Sequence, residues 1–150
     1  MMLNTASALI EYYTKYEDKI KDFYEKLAKD ERCSQDKSFF ESMAKGNEKH
    51  RQEVLRAYYE VITDAIEACY IKAIDETKYE VDTEITPDMT YADIVKKAIQ
   101  VEEKSRDFCT EAYKSTSGLL ADISVAFKRV SKWKAKRVGE LKEILNKVEK

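Results

Sequence analysis

Glu17-Asp18-Lys19-Ile20-Lys21-Asp22-Phe23 returns 85 residues later as Glu102-Glu103-Lys104-Ser105-Arg106-Asp107-Phe108. Farther along, Phe40, Met43, Asn47, His50, Glu53 and Val54 are matched by Phe127, Val130, Lys134, Arg137, Glu140 and Leu141, now 87 residues away. A helix pair therefore occurs twice, with a turn two residues longer the second time.

Each copy carries apolar residues in steps of three and four, the mark of one helix face. The first helix, expected over residues 4–29, has the stripe Ile10, Tyr13, Ile20, Tyr24, Leu27, with Glu17 in the same seam. Asp30 to Asp36 is polar and reads as a turn, with Ser34 as a candidate N-cap for the next helix. That second helix is expected over 35–73, with the stripe Phe40, Met43, Asn47, His50, Val54, Ala57, Val61 and a bend or break between Ala65 and Ile74. Residues 75–90 are acidic and contain Pro87, so they form a connection. Thr90 and Asp93 resemble a capping box with Asp in place of Glu. The third helix, 91–114, carries Val95, Ala98, Glu102, Ser105, Cys109 and Ala112. After the turn Ser115-Thr116-Ser117-Gly118, the fourth, 120–148, carries Ile123, Phe127, Val130, Lys134, Arg137, Leu141, Ile144 and Val148. The expected fold is all-α: one four-helix domain over 1–150, two helical hairpins joined by a long crossover between the second and third helices, which is ferritin-like connectivity.

Composition agrees. Gly numbers 3 and Pro 1 in 150 residues, so helix breakers are nearly absent. A net charge of -2 argues against a nucleic-acid binder running on bulk charge. The basic run Lys128 to Lys136 alternates with apolar residues and reads as the wet side of a helix. Cys33, Cys69 and Cys109 are odd in number and form no CxxC, which excludes a rubredoxin-type iron centre or zinc ribbon and fits reduced thiols. No stretch approaches the ~18–20 apolar residues of a membrane span. No charged start precedes an apolar run, so no signal peptide is expected, and the expected compartment is the cytoplasm. His50 is the only histidine, and no Ser/His/Asp triad is expected around it. No Gly-rich phosphate loop exists.

The seams break their apolar pattern at corresponding depths: Glu17, then Asn47 and His50, then Glu102, then Lys134 and Arg137. Unpaired charges do not enter seams freely. Here the chain resembles the rubrerythrin group of ferritin-like proteins, without the rubredoxin domain. The resemblance is carried by Glu17…Phe23-Tyr24…Leu27-Ala28, by Phe40…Met43-Ala44…Glu48-Lys49-His50, and by Ala98-Ile99…Glu102…Phe108. It implies two irons that support peroxide or oxygen reduction, held by one Glu from the first helix of each hairpin and a Glu-x-x-His from the second. Position by position, Glu17, His50 and Glu102 match ligands, while Asn47, Lys134 and Arg137 stand where Glu, Glu and His belong.

Lys and Arg are cations and do not ligate a metal cation. The expected result is a buried salt-bridge cluster in place of the di-metal centre, with Arg137 gripping a carboxylate in bidentate fashion. No cofactor and no catalytic residue is expected on this reading, and the role is binding or scaffolding. The expected partner is a second copy of the chain, with Trp133, off the main seam, marking the dimer surface; no nucleic acid or membrane is expected. The alternative keeps one iron at Glu17, His50 and Glu102 in an oxidoreductase, with Lys134 and Arg137 swung out to solvent. A third reading is a helical module that meets a protein partner through residues 75–90. Glu48 lies about 100° around the helix from Asn47 and faces away from the seam. Tyr13 and Tyr24 read as packing near Glu17, Cys109 as a small buried hydrophobe, and Glu53 and Glu140 as solvated acids.

Overall fold

A computed structural model of the chain describes residues 2–62, 68–118 and 120–150. Its order is strand β1 (Met2–Thr5), helix α1 (Ala6–Lys29), a 3-10 segment Glu31–Asp36, helix α2 (Lys37–Val61), strand β2 (Tyr70–Asp75), a 3-10 turn Glu76–Tyr79, helix α3 (Tyr91–Thr116) and helix α4 (Ala121–Glu149). The described part is mostly helical, with α1 packed on α2 and α3 on α4. The buried apolar residues form one cluster. Among the described residues no helix is long and apolar enough to cross a membrane.

The seams are buried much as their spacing demands. Every residue of the α1 and α3 stripes is buried, as is the α4 stripe through Leu141. Near the end of α2 the buried position is Tyr58 rather than Ala57.

Three local expectations change. The first helix starts at Ala6, not residue 4, because Thr5 caps it by accepting from the Ala8 N–H at 3.2 Å. Ser34 caps nothing: it lies in the 3-10 segment, and α2 begins after Asp36. The second helix does not reach residue 73. It ends at Val61, and Tyr70–Asp75 is a strand antiparallel to β1, so the described chain is not purely α. Residues 63–67, within the expected helix and at the edge of its expected break, lie outside the described residues. Ile71 and Ile74 are three apart, which suits a helix face. In the ribbon both are buried because Leu3↔Ile74 is followed by Thr5↔Tyr70: two steps along β1 match four along β2. That bulge breaks the period-2 alternation by which a strand is read.

The connection into α3 runs the length of α1. It begins beside the α1 N-terminus, where Ala6 N–H donates to Cys69 O at 2.9 Å. It then passes Tyr16, whose hydroxyl donates to Tyr79 O at 2.5 Å, and Lys19, which donates to Val81 O at 2.9 Å. It ends beyond the α1 C-terminus. There Arg32 Nη1 donates to Thr86 O and Met89 O, both at 2.8 Å, while Asp30 holds the same guanidinium from behind at 2.8 and 3.0 Å. So α3 begins at the end where α2 begins, and Tyr91 hydroxyl donates to Asp36 there. Helix α3 runs against α1 and with α2. The capping box at its start is complete: Thr90 Oγ1 accepts from Asp93 N–H at 3.1 Å and Asp93 accepts from Thr90 N–H at 3.0 Å.

Arg32 is thus the clasp of the crossover. Arg32→Ala is expected to raise amide hydrogen exchange across residues 86–91 while leaving the centres of α1 and α2 protected. Unchanged exchange at 86–91 would show that the clasp holds nothing.

Candidate functional site

The six polar seam residues converge. Glu17 is 1% exposed, Asn47 1%, His50 4%, Glu102 0%, Lys134 0% and Arg137 6%. One continuous chain of hydrogen bonds crosses all four helices. Lys134 Nζ donates to Glu17 Oε1 at 3.0 Å, and Asn47 Nδ2 donates to the same oxygen at 2.8 Å. Asn47 Oδ1 accepts from Arg137 Nη1 at 3.0 Å. Arg137 Nη1 also reaches Glu102 Oε2 at 3.3 Å and Oε1 at 3.4 Å, and Tyr24 hydroxyl donates to Glu102 Oε2 at 2.5 Å.

Asn47 is the hinge of this chain, and its chemistry explains its type. A carboxylate only accepts hydrogen bonds, whereas an amide does both. Asn47 donates to one acid and accepts from one base in the same geometry. The cluster carries two acids and two bases, so each buried charge has an opposite partner that offsets part of its desolvation.

Arg137 does not bind Glu102 as a two-nitrogen fork. Its second nitrogen, Nη2, donates to Met43 O, and one nitrogen serves both Glu102 oxygens. The cause is Gly46. A Cβ there would sit 2.6 Å from Nη2, so the guanidinium occupies the space that a side chain would fill, turned toward the α2 backbone. Burial works against the Arg137 charge, but the nearby Glu102 and Glu17 carboxylates outweigh it and hold the group above its usual pKa. Lys134 and Arg137 point inward; neither snorkels to solvent.

Tyr24 and Tyr13 do more than pack. Tyr24 bonds Glu102, with the Arg137 guanidinium 5.5 Å from its ring, and Tyr13 hydroxyl donates to His50 O at 3.0 Å. Burial, and then the Glu102 charge, keeps the Tyr24 phenol protonated by raising its pKa well above the ordinary value. Burial likewise raises the Cys109 thiol.

His50 is neutral. Burial first, then the cations Lys134, Arg137 and Lys49, push its pKa far below the ordinary value. Its Nδ1 lies 4.0 Å from Glu17 Oε2, beyond hydrogen-bond reach, and neither atom has a partner. Its ring stacks on Trp133 at 5.6 Å between centroids. Trp133 is half-buried rather than wholly off the seam. Glu48 faces outward and pairs with Arg51 and Lys21. Glu53 pairs with Arg129 of α4. Glu140 is exposed.

Among the described residues no group of three or more His, Cys, Asp or Glu side chains is arranged to hold a metal ion. The sequence reading missed Gly46, whose signal was a lone glycine inside a strong helix pattern, next to a polar seam residue. No family model matches the chain, and no curated protein or solved structure matches it either.

Two outcomes follow for stability. Lys134→Met leaves Glu17 buried without its cation and is expected to cost about 3–5 kcal/mol, most of it recovered in Glu17→Leu/Lys134→Met. Urea melts of the single and double variants measure this; an equal loss in both would mean the two residues do not act as a pair. The second concerns pH. His50 stays neutral in the fold while the unfolded chain takes up a proton below about pH 6.5, so stability is full above that pH and falls below it. Between pH 7 and 5 the expected loss from this group is about 2 kcal/mol. Comparison with His50→Gln isolates it, and parallel pH curves for the two proteins would contradict it.

Proposed function

We propose that this chain is a ferritin-like, rubrerythrin-related bundle whose di-iron site has given way to a buried Glu–Asn–Lys–Arg cluster. It works as a binding or scaffold protein, with a second copy of itself as partner, and carries no redox chemistry. The observation that carries the reading is the placement of Lys134 Nζ on Glu17 and Arg137 Nη1 on Glu102. The helical hairpin used twice and the crossover along α1 support the family part of it. Three free thiols support a reducing compartment, the cytoplasm.

The residues do not fit a pair of irons. Two of the six positions are cations, a third is an amide, and both remaining carboxylates are already engaged by Lys134 and Arg137. Elemental analysis of protein purified from iron-supplemented cells is expected to find far less than one iron per chain. Two irons per chain would end the reading.

One observation favours a second reading, a single iron at Glu17, His50 and Glu102. Glu17 Oε2 and His50 Nδ1 face each other without partners. That arrangement needs Lys134 and Arg137 to leave their carboxylates. Anaerobic Fe(II) titration of the wild type and of Glu17→Ala separates the two: binding by the wild type alone favours the iron, and equal binding by both removes the site.

A further inference from the structure

The cluster is not sealed on every side. Between α2 and α4 a cleft of about 400 Å³ opens over it, lined by Phe39, Met43, Gly46, Lys49, His50 and Trp133 from one side to the other, with Lys136, Arg137 and Glu140 completing its rim and floor. A volume of this size is in the range of small-molecule sites. Its chemistry is divided. Phe39, Met43 and Trp133 give apolar and aromatic wall. Lys49 holds its ammonium 4.6 Å from the centre of the Trp133 ring.

The charge count decides what fits. Arg137 is already balanced by Glu102. Lys49 and Lys136 pair with no carboxylate among the described residues, and Glu140 pairs with no cation. The rim therefore carries two free cations against one free acid, an excess of one positive charge.

We propose that this cleft binds a small organic monoanion with a planar apolar body, of the aryl carboxylate class. The body lies against the edge of Trp133, and the carboxylate is met by Lys49 and Lys136. The α2–α4 cleft would supply the ligand class of the binding role proposed above and rests on that reading, yet it is measured separately. Iron in the bundle without loss of ligand binding would sink the earlier reading and leave the cleft standing; the reverse would sink only the cleft.

Trp133 is the single tryptophan of the chain, so its emission reports on this place alone. Full-length protein is titrated with benzoate, with acetate (charge without body) and with benzyl alcohol (body without charge). The expected result is a saturable change with benzoate and a much weaker response to the other two. Lys49→Ala and Lys136→Ala are each expected to weaken benzoate binding roughly three- to fivefold, and Glu140→Gln to strengthen it about threefold. These residues are exposed, and circular dichroism checks that each variant is folded. The His50 ring proton resonance, unique in the NMR spectrum, provides a second readout that does not depend on fluorescence. No saturable benzoate response in either signal overturns the proposal. So does binding that survives removal of both lysines, or benzyl alcohol binding as tightly as benzoate.

Discussion

A carboxylate placed inside a helical bundle must be neutralised where it sits, and Glu17 sets that requirement for this chain. At 1% exposure its charge has no water to rely on. Lys134 from α4 and Asn47 from α2 both reach its Oε1, which ties the two hairpins together at one atom. Asn47 then passes the constraint to Arg137, and Arg137 to Glu102 and Tyr24. Such a cluster does not make the fold more stable than apolar packing of the same shape would. What it fixes is register: each helix must sit at the depth where its own member finds a partner.

The rest of the architecture can be read as what that register demands. Glu102 meets Tyr24 and Arg137 from an α3 that runs against α1, the direction the chain takes because it returns along the bundle before entering that helix. Lys19, Tyr16 and Arg32 hold that returning segment by its carbonyls, while Val81 is buried in the core and Tyr79 packs on Phe108. Its acidic side chains are left free to face solvent or Lys97, as Asp82 does at 2.8 Å. Backbone-directed anchoring leaves no periodic signal in the sequence, which is why residues 75–90 read only as a connection.

The helical seams were legible because their period is unmistakable and because the chain states it twice. Offset repetition also matches Lys134 and Arg137 to Asn47 and His50, which puts both cations at the depth of Glu17 and Glu102. Three things were hidden, each for a physical reason. The strand at Tyr70–Asp75 was hidden because its bulge gives Ile71 and Ile74 a helical spacing. The one-nitrogen grip of Arg137 on Glu102 was hidden because it depends on the missing Cβ of Gly46, and a single glycine in a helix has many explanations. The hydrogen bond from Tyr24 to Glu102 was hidden because a tyrosine in a seam packs equally well with or without a partner for its hydroxyl.

The central claim is that two fixed cations, Lys134 and Arg137, occupy the bundle interior on Glu17 and Glu102. Crystals grown anaerobically with excess ferrous iron, measured at the iron absorption edge, address it in one experiment. The account predicts no anomalous peak between Glu17 and Glu102, with Lys134 Nζ still within hydrogen-bond distance of Glu17. An iron peak in that space, with the Lys134 and Arg137 side chains turned outward, would contradict it.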